Sequence, residues 1–369
     1  MSVYTKFAII GAGGVGATVV DELLKKGDAV SVAILTRDET KPELQAFKAR
    51  GATLHQVSYD DANAIKNALS GSEVVVSTVS AYHLNVQKDI IPAAKEAGIQ
   101  LFVPSEYGVT VTEGPNVTKK EVQDLLAKHE IPATIFYTGL FAEYLPFILG
   151  FNFQEGYMNV VGKGETAFSI TPQKDVGHFV AHVLSTAPKS ALSDAKIPFE
   201  SERLSPMQIR DLAEKKLNKK IEVRYIDFEE NKKKYDTDFV AFLTTLFEDG
   251  RGVAGTEEEV QESVAKFFPD WNPAKLILKS TFQYFYKVSS RLQLSGGALM
   301  SSNVGYLGKR GASSLGQETA GSLGYAQKMQ ALIAQMFAPL KGVSYHHLHI
   351  GYSKQARHPP RASESTLSN

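Results

Sequence analysis

Apolar runs and helical patterns take turns along the first part of the chain. Phe7 to Ile10 is a short, wholly apolar run, the pattern of a strand buried on both faces. Gly16 to Lys25, "GATVVDELLK", carries apolar residues at helical spacing and stops at Lys25-Lys26-Gly27. "AVSVAILTR" predicts a second strand, Leu44 to Arg50 a short helix closed by Gly51, Thr53 to Val57 a weak strand, and Asp61 to Leu69 a helix ended by Gly71. "EVVVSTVS" is strand-like in its β-branched content, and Asn85 to Ala97 is helical. "LFVPSEYG" is a strand running into a loop, Lys119 to His129 is helical, and "ATIFYTG" is a sixth strand. Strands alternating with helices imply parallel βαβ units whose sheet is covered on both faces. The expected fold class is therefore α/β, a doubly wound parallel sheet.

After Gly139 the rhythm loosens. "LFAEYLPFIL" reads as helix, "MNVVGKGETAFSI" as Gly-punctuated strands, and Lys174 to Leu184 as helix. "SPMQIRDLAEKKLN" and the strand "IEVRYI" follow, and Phe239 to Phe268 looks helical apart from a loop around "EDGRGVAG". This mixed stretch suits a smaller lobe packed over the strand ends. From Thr281 onward the pattern fails: "SSNVGYLGKRGASSLGQETAGSLG" has neither period and reads as flexible, and only Tyr325 to Leu340 is patterned as helix.

Charge sharpens that boundary. The 40 basic and 40 acidic residues balance, but nine Lys and Arg against two acidic residues lie beyond Thr281, leaving 31 basic and 38 acidic before it. An acidic body thus precedes a basic tail, and no whole-chain basic field marks a nucleic-acid partner. The tail's charge is expected to be solvated. Its "YHHLHIGY", with His346, His347 and His349, has no supporting fold, so no metal site is expected. The absence of cysteine excludes disulfides and thiolate chemistry. The N-terminal apolar core is too short for a signal peptide, and no run approaches the ~18 residues that span a bilayer. The expectation is a soluble cytoplasmic protein that does not engage membranes.

Chemistry enters with "FAIIGAGGVGATVV". Gly11, Gly13 and Gly16 form G-x-G-x-x-G between a predicted strand and a predicted helix, the context that makes this pattern a dinucleotide-binding signal. Gly11 would make the tight turn, Gly13 would admit a pyrophosphate, and Gly16 would let the helix pack closely. With Gly14 and Val15 these residues would offer main-chain N–H groups to phosphate at a helix N-terminus. The end of the second strand selects the nucleotide. Where an NAD site places an acid about 20 residues past the glycines, this chain has "ILTRDET". Arg37 offers a planar fork for a 2′-phosphate, Thr36 a hydroxyl beside it, and Lys41 or Lys48 further charge. Asp38 is the counter-signal, able to pair with Arg37 or bind a ribose. NADP(H) is the expected cofactor.

Ligands of such sheets bind beyond the carboxyl ends of the strands, so "STVSAYH", which includes Ser77, together with "PSEYGV" and "YTGLF", should line the site. Hydride transfer also needs a proton donor near the developing anion. The common pair of a Tyr and a Lys four residues later is missing, since Val111 follows Tyr107. "NVTKKEVQDLLAKHEIP" offers Lys119 and Lys120 at a helix start, where the dipole would lower a lysine pKa. By position alone, two solvated lysines on a helix are the commoner reading. Tyr82, Tyr107, Phe141 and Tyr144 are candidate pocket walls, each of which could equally be core.

The order and spacing of the strand-Gly-rich-helix opening, "LTR", "VVVSTVS", "LFVPSEYG", the helix-initial lysine, "HEIPATIFYTGLFAEYL" and "ITPQKDVGHFVAHVL" resemble the NmrA-like and isoflavone-reductase-like family of atypical short-chain dehydrogenases. The similarity covers roughly Lys6 to Ile226 and continues weakly to about Lys279. It implies an NADP-binding Rossmann domain over residues 1–150, a substrate lobe over 151–280 interleaved with it, and a tail over 281–369 that matches nothing in the family. Counted back from Ile131-Pro132, the family's catalytic lysine falls on Lys119. The third glycine of the family's G-x-x-G-x-x-G falls on Ala17. The implied activity is NADPH-dependent reduction of a small aromatic or conjugated metabolite. Some NmrA-like members are instead regulators that report cofactor redox state to a protein partner, and that alternative needs the same loop without the lysine.

Overall fold

The computed structural model describes residues 2–150 and 155–275. Its first half runs β1 (Lys6–Ile10), α1 (Gly14–Leu24), β2 (Ser31–Thr36), α2 (Pro42–Ala49), β3 (Thr53–Gln56), α3 (Ala62–Leu69), β4 (Val74–Ser77), α4 (Val86–Glu96), β5 (Leu101–Val103) and α5 (Val117–Lys128). The strands form one parallel sheet in the order β3-β2-β1-β4-β5. Chain order reverses between β1 and β4, so the crevice beyond their carboxyl ends is the switch point at which such sheets bind ligands.

The pleat explains why the apolar runs are continuous. Phe7, Ile9, Val32, Ile34, Val74, Val76, Leu101 and Val103 face one core, while Ala8, Ile10, Leu35, Val75 and Phe102 face the other. The first core is closed by Val15, Val19 and Leu23 of α1, and the second by Ile65, Ile90, Val122 and Leu126 of α3, α4 and α5. The doubly wound Rossmann architecture is as expected.

Beyond α5 come β6 (Ile135–Tyr137), β7 (Leu140–Phe141), α6 (Leu145–Ile148), β8 (Tyr157–Val161), β9 (Phe168–Thr171), α7 (Gln173–Thr186) and α8 (Lys189–Leu192). They are followed by β10 (Lys196–Pro198), β11 (Glu202–Leu204), α9 (Pro206–Leu217), β12 (Glu222–Ile226), α10 (Phe228–Lys232), α11 (Phe239–Glu248) and α12 (Glu257–Phe267). The sixth strand is shorter than its sequence pattern. It joins β5 only through the Phe102–Ala133 bridge and pairs in full with β10. The helix expected over Leu140 to Leu149 is a correction: the chain first pairs as β7 with β9, then makes a 3₁₀ turn at Ala142–Tyr144 and one turn of α6. Its apolar residues were read as one period although they serve two elements. The loop expected around "EDGRGVAG" separates α11 from α12.

Helix α7 packs beside α1 on the first core. A Cβ at Gly177 would stand 2.0 Å from Thr18 Oγ1, so glycine is what permits the approach. Helix α9 opens with a capping box in which Ser205 and Gln208 each satisfy the other's backbone N–H. Ser205→Ala is expected to cost about 1 kcal/mol, read as a lower urea midpoint at unchanged slope. The tail helix and His346, His347 and His349 lie outside the described residues.

Candidate active site

The glycine loop is held by close approaches that side chains would block. Gly11 has φ +89°, and a Cβ there would stand 2.9 Å from Thr78 O. A Cβ on Gly16 would stand 2.1 Å from Gly11 O and 2.3 Å from Thr78 Oγ1. Thr78, the first residue after β4, donates its hydroxyl to Gly11 O and its N–H to Ile10 O at 2.8 Å. It is the fastener of the loop and was not singled out from the sequence, although a hydroxyl just past the strand beside β1 was the available signal. Gly13 is different: it is exposed, and nothing lies within 4 Å of where its Cβ would be. Helix α1 begins at Gly14 with no side-chain cap on its first N–H groups, the arrangement that receives an anion. Val15 is buried, so only its main chain could contribute.

At the end of β2, Asp38 is not paired with Arg37. Both Thr40 donors, N–H at 2.9 Å and hydroxyl at 2.6 Å, bind Asp38 Oδ1, so Asp38 serves its own turn rather than Arg37. Thr36 is likewise committed, donating to Asp38 O at 3.0 Å and accepting from Asp38 N at 3.1 Å. Arg37 is exposed and forms no hydrogen bond with any described residue. Lys41, exposed at the N-cap of α2, is near enough to help hold the Asp38 carboxyl below its usual range, after the Thr40 hydrogen bonds. Lys48 stands two turns further along α2, roughly 10 Å along the axis. Ser77, expected to contact cofactor, is fully buried and exchanges a hydrogen bond with Ser105 at 3.2 Å. Its place at the last position of β4 points it into the layer, and Thr78 takes the edge.

That Ser77–Ser105 contact joins the β4 end to the loop after β5, where the two lysines part. Lys120 is exposed and pairs with Asp124 one turn on. Lys119 is 8% exposed and donates Nζ to the main-chain carbonyl of Glu106 at 2.8 Å. Burial pushes the Lys119 pKa down and the Glu106 carboxylate, 3.9 Å away, pulls it up, the first effect being the larger. The expected direction is correct, but its main cause is desolvation rather than the helix dipole. Gly108 makes room, since a Cβ there would stand 3.2 Å from Nζ. A buried amine with donors to spare, held by the loop after β5, two strands over from the glycine loop, can deliver a proton to a developing anion.

The model of the NmrA-like family matches residues 4–274. The chain belongs to this family. It is 28% identical over 242 residues to the oxidoreductase aprR of Aspergillus flavus, covering 62% of this chain and 79% of the relative. It is 27% identical over 250 residues to the isoflavone reductase homolog P3 of Arabidopsis thaliana, covering 61% and 79%. Among solved structures, AtPrR2 with NADP+ and (+)pinoresinol shares the fold with a TM-score of 0.64 at 20% identity, over 75% of this chain and 98% of that one. A leucoanthocyanidin reductase–NADPH complex from Vitis vinifera gives the same TM-score and identity over the same shares.

In this family member the expected pocket walls separate. Tyr107 is a core residue, packed with the β1 and β4 side chains at 8% exposure and φ +35°. Its hydroxyl is buried without a hydrogen-bond partner among the described residues, and burial raises its pKa. Phe141 and Tyr144 meet edge to face at 5.6 Å in the turn after β7, while Tyr82 is 40% exposed on the turn after β4. Between Phe141 and Tyr144 sits Glu143, whose two carboxylate oxygens accept from Gln173 N at 3.2 and 3.1 Å. The Gln173 side chain in turn lies 3.1 Å from the Cβ position of Gly14. Burial, more than its hydrogen bonds oppose, pushes the Glu143 pKa up to about 7. Neither residue carried a sequence signal, because their meeting joins segments 30 residues apart. Among the described residues no cluster of three or more metal-ligating side chains occurs, and no helix is long and apolar enough to cross a membrane.

Proposed function

We propose that the protein is an NADPH-dependent reductase of a small aromatic or conjugated metabolite, with Lys119 as its proton donor. The observation that carries this reading is the buried Lys119 amine, anchored on the Glu106 carbonyl in the loop after β5 of the sheet whose β1 carries the glycine loop. The residues fit a phosphorylated dinucleotide. Gly13 leaves an open face, the uncapped start of α1 supplies N–H groups, and Arg37 is available to a 2′-phosphate. When bound, the cofactor supplies hydride. Lys119 then has donors left after its contact with Glu106 to protonate the anion that hydride addition creates.

The relatives' names support the substrate class: isoflavone, phenylcoumaran benzylic ether and pinoresinol are all aromatic. The Phe141–Tyr144 pair offers aromatic surface of the kind that receives such rings.

Calorimetric titration with NADPH and NADH tests the cofactor assignment. Arg37→Ala is expected to weaken NADPH by about 2 kcal/mol, roughly 30-fold, the worth of a charge-assisted contact, and to leave NADH unchanged. Equal binding of both, indifferent to the substitution, would sink the NADP preference. Binding without turnover of any aromatic carbonyl or ether panel would favour a redox-reporting regulator with a protein partner.

A further inference from the structure

Lys119 does not titrate alone. Glu106 meets it twice, through its carbonyl at 2.8 Å and through carboxylate Oε2 at 3.9 Å, and the Glu106 side chain is only 1% exposed. The carboxylate is itself held from the same helix face. Gln123, one turn beyond Lys119 on α5, donates Nε2 to Oε1 at 2.9 Å. Oε2 has no hydrogen-bond partner among the described residues, so the charge it faces is the Lys119 nitrogen. The backbone is bent to arrange this: Glu106 N donates to Pro104 O at 2.8 Å, and Tyr107 follows with φ +35°. A positive φ on a non-glycine residue persists where the surrounding structure imposes it.

We infer that Glu106 is a positioning residue for Lys119, its carbonyl fixing Nζ at 2.8 Å and its carboxylate, 3.9 Å away, supplying the counter-charge that favours the ammonium form. Without the carboxylate, burial would act unopposed and shift the lysine toward its neutral form, which has no proton to donate. The other titratable groups acting here are Lys196, which attracts the Glu106 charge, and Tyr137, whose pKa is pushed up to about 12 by burial and then by Glu106. Tyr107 is beside the pair in sequence but stays neutral in the core. The catalytic consequence rests on the proposed role of Lys119, whereas the protonation coupling does not.

The test is a ¹⁵N-lysine NMR titration of the whole chain, with the Lys119 resonance assigned by its loss in Lys119→Met. In Glu106→Gln the Lys119 midpoint is expected about one pH unit or more below wild type, a tenfold rise in its proton dissociation constant. Glu106→Asp, which keeps the charge, should stay nearer wild type. Gln123→Leu removes the hydrogen bond that favours the ionised carboxylate, and should also lower the Lys119 midpoint. This second variant covers the case in which Glu106→Gln does not fold. On a turned-over substrate, the basic limb of the kcat profile should move to lower pH by the same amount, with KM unchanged on the acidic side. An unchanged Lys119 midpoint in the folded variants overturns the inference. The titration needs no substrate, so a Lys119→Met enzyme with full turnover would refute the proton-donor reading while leaving this result standing.

Discussion

Lys119→Met is expected to lower kcat about 10²- to 10⁴-fold, the span of general acid–base contributions, while NADPH affinity changes by less than about threefold, because a group acting in the transition state leaves ground-state binding largely alone. Methionine keeps an unbranched apolar stem of the same length, with sulfur in place of the δ methylene, in a site that is 8% exposed, and removes the terminal nitrogen. Two costs accompany the loss. The Glu106 carbonyl loses its donor at 2.8 Å, and the buried carboxylate loses its counter-charge at 3.9 Å. An uncompensated buried charge destabilises, so Lys119→Met should be compared with the double variant that adds Glu106→Gln. If both fold and both lose kcat alike, the loss belongs to the missing proton and not to collapse. Lys120→Met is the control: paired with Asp124 at the surface, it should retain at least about half of the activity, since exposed pairs contribute little. Steady-state kinetics separate the cases, and a Lys119→Met enzyme with undiminished kcat ends the assignment.

Glu143→Gln is expected to stabilise the protein above neutral pH. The Glu143 carboxyl rises from 4.5 to about 7 because burial opposes its charge, with Asp175 adding repulsion. A folded-state pKa above the unfolded value means that the folded chain binds the proton more tightly. The stability this contributes is full below about 4.5 and is lost as pH rises through about 7. At roughly 1.4 kcal/mol per unit the full span is about 3 kcal/mol, and partial exposure of the residue trims it to about 2 by solvent screening. Glutamine can still accept from Gln173 N and carries no charge. Urea midpoints should therefore coincide at the acidic end and diverge by about 2 kcal/mol at pH 8 in favour of the variant. Parallel midpoints across the range would mean that the carboxylate is solvated.

Much of the first half of the chain was legible because its signals are local. A buried strand announces itself as a run such as "FAII", and a glycine cluster between strand and helix states where backbone must come close. The short strands β10 and β11 were not legible, since three residues each carry no period and exist only because β6 and β9 offer edges to pair with. Leu140 to Leu149 misled because an apolar stretch shared between a two-residue strand, a 3₁₀ turn and a helical turn imitates one helix. Ser77 lay in a segment named for the site, but its burial against Ser105 was not legible, because that partner comes from the loop after the next strand.

The lysines mark the boundary most clearly. Lys119 and Lys120 have the same chemistry and adjacent positions, and residue type cannot separate them. A signal existed: Lys119 stands three and seven residues before Val122 and Leu126, the buried face of α5, whereas Lys120 aligns with Asp124 on the wet face. Family resemblance chose Lys119, and docking of α5 onto the sheet supplies the reason. By itself, the sequence determined the strand–helix alternation, the parallel sheet and the glycine loop, since each depends on periods and conformations of neighbouring residues. Only the tertiary structure decided which groups titrate abnormally. Desolvation of Lys119, Glu106 and Glu143 depends on what packs over them from elsewhere in the chain, and no local pattern carries that information.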